Sequence, residues 1–189
     1  GQGRRVLGLA MLPLEQLPED YEFQRDPPNY PLAGFCFIGM VALIDPPKRG
    51  VHKAIAACRT AGIQVVMVTG DHPRTAEAIA RQIGLIQGET QREVAMRTGR
   101  AQQQVAQSEF DAVVVRGETL EGLDDRGWDE ILQHREIVFA RTTPKHKLEI
   151  VTRFQTKGHI VGVSGDGVND SPALKKADLG ISMNLTGSD

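Results

Sequence analysis

Short β-branched runs that pass through a glycine- or proline-marked turn into an amphipathic helix recur along this chain, and no other feature restricts its fold as strongly. Residues 63–68 read as a strand and Thr69-Gly-Asp-His72 as a turn; Pro73 then opens a helix with Ala76, Ile79, Ala80 and Ile83 on one face, closed by Gly84. The unit ahead of it repeats the design. Residues 35–44 form a continuous apolar run ending at Asp45-Pro-Pro47, after which Val51, Ala54, Ile55 and Cys58 share one face of a helix that Gly62 stops. Residues 112–115 and 137–140 are further strands and residues 128–133 a short helix. After Arg141-Thr-Thr-Pro144 a helix turns Leu148, Val151 and Phe154 inward until Gly158. Alternating strands and helices predict an α/β fold of Rossmann type: a doubly wound, mainly parallel sheet with helices on both faces and right-handed crossovers.

Residues 161–170, Val-Gly-Val-Ser-Gly-Asp-Gly-Val-Asn-Asp, place chemistry on that frame. Residues 159–163 have the β-branched content of a central strand, and Gly165 and Gly167 allow a tight turn. Ser171-Pro172 opens a short helix over 171–177, and a last strand follows at 179–182. Asp166 and Asp170 therefore leave the sheet at its carboxyl edge, where open α/β sheets bind ligands, and both are hard oxygen donors of the kind Mg²⁺ takes. Taken alone, Gly-Asp-Gly is better accounted for as an acidic turn whose Asp170 caps the next helix.

The remainder of the chain surrounds this core. Residues 1–34 begin with a strand at 5–11 and then carry Pro13, Pro18, Pro27, Pro28 and Pro31, a density that excludes a long helix and marks an edge or connecting segment. Residues 85–110 are polar, with glutamines at 102–104 and 107, and read as an insertion of loops and short helices. The 22 basic and 24 acidic side chains are scattered, so the net charge of -2 offers no global attraction for nucleic acid or an anionic membrane. Cys36 and Cys58 lie in apolar contexts and are expected as buried thiols of a reducing compartment, not as a disulfide or a zinc site. No run approaches the ~20 apolar residues of a membrane helix. The opening Gly-Gln-Gly-Arg-Arg has no initiator methionine, which points to a soluble piece cut from something longer.

Three turns fall at strand ends: Thr69-Gly-Asp71, Arg141-Thr-Thr-Pro-Lys-His-Lys147 and Gly165-Asp-Gly-Val-Asn-Asp170. In a parallel sheet all three share one edge. A hydroxyl, an ammonium and a carboxylate pair gathered there suit phosphoryl transfer, in which a cation and a carboxylate-bound Mg²⁺ offset the charge on the transferring oxygens. Singly, Thr69 is an ordinary turn hydroxyl and Lys147 an ordinary solvated helix residue, and spacing does not choose between Lys145 and Lys147.

Asp45-Pro-Pro, Met67-Val-Thr-Gly-Asp-His-Pro73, Val138-Phe-Ala-Arg-Thr-Thr-Pro144 and Gly165-Asp-Gly-Val-Asn-Asp-Ser-Pro-Ala-Leu-Lys-Lys-Ala-Asp178 together resemble the phosphorylation domain of P-type cation-transporting ATPases, within the haloacid-dehalogenase-like superfamily. The resemblance covers nearly the whole chain, including the closing Thr186-Gly-Ser-Asp189, and is nearest the sodium/potassium and proton/potassium branch. It implies that Asp166 ligates Mg²⁺ with Asp170 in support, and that Thr69 and Lys147 hold the phosphoryl group. Lys147 is preferred because it stands at the family's position before the Leu-Glu-Ile-Val helix. By the same resemblance Asn169 hydrogen-bonds there, Gly70 and Asp71 lie near nucleotide and metal, and Asp45 and Arg141 help place ATP. Residues 1–34 would be the tail of a nucleotide-binding domain and its hinge, and residues 35–189 the C-terminal portion of the phosphorylation domain. The implied partners are the rest of the pump, with its nucleotide-binding domain and membrane helices, and an accessory subunit is compatible with it. The implied location is the cytoplasmic face of a membrane.

One departure outweighs the others. The family's nucleophile is the first Asp of Asp-Lys-Thr-Gly-Thr, and that motif does not occur in this sequence. The sheet is therefore expected to be incomplete at its N-terminal strand, and the chain by itself to form no aspartyl-phosphate. Lys48 stands where the family commonly has arginine, and Ile181-Ser-Met-Asn-Leu-Thr replaces a run of alanine and glycine. Two other readings compete. A stand-alone phosphatase of the same superfamily needs an Asp-x-Asp motif, which is absent, and a non-catalytic nucleotide- or partner-binding module would keep only the scaffold.

Overall fold

A computed structural model describes residues 5–14, 17–43, 46–165 and 168–183. Ile44, Asp45, Asp166, Gly167 and residues 184–189, on which several of the expectations above fall, lie outside the described residues. The chain divides into two compact units, one ending at Pro46 and one running on from Pro47.

In the first unit β1 (Arg5–Met11) pairs antiparallel with β2 (Cys36–Leu43), from Val6 opposite Ala42 to Met11 opposite Cys36, with a register shift between Leu9 and Ala10. The proline-dense segment between them is the predicted connection. Asn29 ties it together by accepting the Gln24 N–H and donating to Glu22 O, both at 2.9 Å, and Tyr21 donates to Asn29 O at 2.6 Å. Both faces of the hairpin expose apolar side chains, Leu7 and Ile38 among them. Cys36 is exposed for that reason, against the expectation of burial, and Cys58 is half-buried; both are free thiols.

The second unit is built around a parallel sheet of order β3-β5-β4, with β3 at Val66–Val68, β4 at Ala112–Arg116 and β5 at Glu136–Ala140. Central β5 is apolar at every position from Ile137 to Ala140 and buried on both faces. Its alternate residues face different layers. Val138 and Ala140 pack with α1 (Val51–Thr60) and α2 (Pro73–Gln82) through Ile55, Ala76 and Ala80. Ile137 and Phe139 pack with α5 (Asp125–Leu132) and α6 (Pro144–Thr156) through Trp128, Ile150 and Phe154. This is the doubly wound arrangement the alternation predicts. Of the expected α1 stripe, Ile55 is buried and Ala54 is exposed.

The insertion contributes α3 (Gln91–Thr98) and two 3₁₀ turns, closing a third cluster around Val94, Val105 and Phe110. The short α4 (Gly117–Leu120) follows β4. A second parallel pair joins β6 (Gly162–Gly165) to β7 (Leu179–Ser182), with α7 (Ser171–Lys176) between them in sequence. The sequence places β6 at 159–163, whereas its ladder begins with Gly162 opposite Leu179 and Ile160 is 90% exposed. The Asp178 carboxylate takes the Val161 N–H at 2.8 Å and so marks the start of the pair.

Candidate functional site

The turns after β3 and β5 are locked to each other. Thr69 donates its N–H to Phe139 O at 2.9 Å, and Thr69 O accepts both the Thr142 N–H at 3.1 Å and the Thr142 hydroxyl at 3.0 Å. Arg141 N–H donates to Asp71 O at 3.0 Å, and Asp71 N–H donates to Thr69 Oγ1 at 3.1 Å. Thr69, Asp71 and Arg141 therefore meet in one backbone network, and Gly70 lies beside it. Arg141 takes φ 55°, a left-handed conformation costly for a side chain with a Cβ and common at functional corners.

From that corner the chain enters α6 through a strong start signal. Thr143 caps the helix, Pro144 occupies its first turn, and His146 completes a capping box. Lys147 follows, half-buried, and its Nζ reaches Asp170 Oδ1 at 2.5 Å; the two side chains are 18% and 15% exposed. Lys145 is exposed. Asp170 precedes α7 yet makes no capping hydrogen bond, so the plain helix-cap reading of this residue does not hold. Its carboxylate instead lies on the backbone of Gly165, where a Cβ would stand 2.6 Å from Asp170 Cβ and 2.7 Å from Oδ2. Only glycine leaves room for that carboxylate immediately before position 166 in the chain. Asn169 is exposed in the 3₁₀ turn Val168–Asp170. The structure thus brings Thr69, Asp71 and Arg141 together in one network and Lys147 and Asp170 together in a pair at the start of α6, while Asp45 and Asp166 lie outside the described residues.

A cleft of about 1040 Å³ is lined by both β3 and β6 and by Lys147 and Asp170. Its strand walls are open edges. Thr69 points its backbone polar groups toward β5, so by alternation Val66 and Val68 point theirs away from it. Val161 and Gly165 use their carbonyls on the β7 side, so Gly162 and Ser164 likewise point outward from the pair. Among the described residues neither edge has a further strand partner.

Among the described residues no three His, Cys, Asp or Glu side chains gather as a metal site. Of the two expected ligands Asp170 is the described one: one of its oxygens is bound by Lys147 and the other lies against Gly165, and carboxylate oxygens are the hard donors a divalent cation takes. Below the rim Asp178 ties β6 to α6. The Val161 N–H and then the Gln155 side chain hold its carboxyl below the ordinary value. Reasoning from sequence passed over Thr142, whose hydroxyl joins the two turns, and Glu121 beside His146; the Thr-Thr-Pro start was the signal for the first, and Glu121 had none.

Residues 12–178 match the haloacid dehalogenase-like hydrolase family. Over 194 aligned positions, the whole of this chain, it is 50% identical to sodium/potassium-transporting ATPase subunit alpha-A of Artemia franciscana, covering 20% of that protein. It is 50% identical to potassium-transporting ATPase alpha chain 2 of Rattus norvegicus, and likewise to that of Cavia porcellus, covering 19% of each. The chain spans about a fifth of the length of the curated relatives it matches. These relatives lie in the branch that the sequence motifs resemble. Among the described residues no helix is long and apolar enough to cross a membrane.

Proposed function

The chain belongs to the haloacid dehalogenase-like hydrolase family, and from that premise we propose that it is the metal- and phosphoryl-holding part of the phosphorylation domain of an ATP-driven cation pump. The observation that carries this reading is the Lys147–Asp170 pair, standing in the wall of a cleft between two open parallel strand edges. A pair of that kind places a cation and a carboxylate where a phosphoryl group and a divalent ion would be held side by side.

Each residue then has a defined task. The Thr69 hydroxyl accepts from Asp71 N–H and donates to no acceptor among the described residues, so its proton can serve a phosphoryl oxygen. Lys147 supplies the positive charge at the start of α6, and Asn169 a neutral donor in the turn beyond β6. Asp166 and Asp170 would hold Mg²⁺, which when bound offsets negative charge on the transferring group. Gly70 and Asp71 border the nucleotide and metal, and Arg141 and Asp45 help seat ATP. The nucleophilic aspartate is supplied by a strand that enters the cleft between β3 and β6. On this reading the 189-residue chain by itself hydrolyses nothing. The complete protein couples the charge change at this rim to membrane helices on whose cytoplasmic side the domain lies, with any accessory subunit bound elsewhere.

The test is phosphoenzyme formation from ATP in the complete protein. Asp166→Asn is expected to abolish nearly all of it, because the metal loses a charged oxygen ligand. Undiminished phosphorylation at low Mg²⁺ would contradict the assignment.

A further inference from the structure

A buried histidine stands behind the rim with no part in the scheme above. His146, in the first turn of α6, is 3% exposed. Its Nδ1 accepts the Thr143 N–H at 3.2 Å, and its own backbone N–H donates to Thr143 Oγ1 at 3.3 Å. With Nδ1 accepting, the neutral ring carries its proton on Nε2, which donates to Glu121 Oε1 at 3.2 Å. Glu121 directly follows α4. That helix begins at Gly117, where a Cβ would stand 2.4 Å from Arg141 O and 2.6 Å from His146 Nδ1. The absence of a side chain at 117 is what lets the β4–α4 corner close on the start of α6.

We propose that His146, backed by Glu121 and Gly117, is a positioning residue that fixes the first turn of α6 and thereby sets the Lys147 amine against Asp170. A lysine amine sits at the end of a flexible four-carbon stem, so its place depends on how firmly the backbone under it is held. Here that backbone is held twice. Thr143 and His146 close the capping box, as glutamate or glutamine commonly does at the same helix position, and the second ring nitrogen ties the turn to a separate element. The functional weight of the inference rests on the reading of Lys147 given above, but its geometry does not.

The test is competitive acetylation of the 189-residue chain with acetic anhydride, read as the Lys147 to Lys145 ratio by peptide mass spectrometry. Lys145 is exposed in the same turn and serves as the internal standard. In the unaltered chain Lys147 should react more slowly than Lys145. His146→Ala should raise the ratio by about 2- to 30-fold, the range a lost helix cap corresponds to. Gly117→Ala should move it the same way by forcing the corner apart. His146→Gln keeps a side chain able to close the capping box and should return the ratio to within about twofold of the unaltered chain. Circular dichroism and the thermal midpoint establish that each variant is folded. Should His146→Ala fail to fold, Glu121→Ala at a side chain 66% exposed replaces it, with the same rise expected. An unchanged ratio in the folded variant, or a glutamine variant as reactive as the alanine one, overturns the proposal. Neither Mg²⁺ nor nucleotide is present, so the ratio is independent of whether Lys147 meets a phosphoryl group.

Discussion

β5 and β6 are both short parallel strands that deliver a turn to the Lys147–Asp170 rim, but they sit in different surroundings. β5 has a strand on each side and helices on each face, and Ile137, Val138, Phe139 and Ala140 are all 0% exposed. β6 has one strand partner among the described residues, Gly162 and Ser164 are exposed, and in neighbouring β7 Leu179 and Ile181 are 59% and 52% exposed. β5 has Ile137, Val138 and Phe139 in succession, whereas β6 and β7 each carry glycine, so intrinsic preference already favours β5. The number of layers each strand can pack against widens that difference. The strand that carries the proposed metal ligand is the one that borders the cleft, and the fully enclosed strand supplies the rigid wall from which Lys147 is set.

Three perturbations probe that contrast. The largest expected effect is at β5: Phe139→Ala should destabilise the chain by about 3–5 kcal/mol, against no more than ~0.5 kcal/mol for Ile181→Ala, measured by urea denaturation. Similar losses at the two positions would remove the distinction between an enclosed and an open strand. The rim comes next. Lys147→Ala should lower phosphoenzyme formation in the complete protein by about 10²–10³-fold, the scale of one lost charge-stabilising donor, and Lys145→Ala should leave it nearly unchanged. Equal losses would show that position relative to Asp170 is not what matters.

The smallest effect is one of pH and belongs to the far end of the three-stranded sheet. His134 is 7% exposed, stacks on Phe110 and lies 2.9 Å from Gln107 Oε1. Burial holds its imidazole below the ordinary 6.5, outweighing the backbone and charge of Asp111, which pull it up. A group depressed in the folded state contributes stability that is complete above its unfolded value and is lost as pH falls from there through the folded one. Acidification from 7.5 to below about 6.5 should therefore lower the thermal midpoint, and His134→Gln should flatten that part of the profile. An unchanged slope in the variant would assign the loss to other groups.

Much of this was legible in the sequence where local pattern and tertiary packing agree. The spacing of Ala76, Ala80 and Ile83 gave a helix face that is buried, and the unbroken apolar run of β5 fits a strand covered on both sides. Patterns failed where burial depends on distant partners. Ala54 lies on a correctly spaced stripe but is exposed among the described residues, as is Cys36 in its hairpin. At the rim, the sequence offered Lys147 and Asp170 as separate candidates, while their pairing was not readable, since the two are 23 positions apart and only the fold brings them together. The Glu121 contact to His146, 25 positions apart, was hidden for the same reason.

The central claim is that the cleft between β3 and β6 receives the strand carrying the nucleophile. Hydrogen exchange of the 189-residue chain with and without an added peptide containing Asp-Lys-Thr-Gly-Thr and its apolar flank tests it directly. The account predicts that the peptide slows exchange at Val66, Val68, Gly162 and Ser164, whose backbones face the cleft, and leaves the already enclosed Ile137 and Phe139 unchanged. Peptide binding with no protection at those four amides, or with protection confined to another edge, would contradict it.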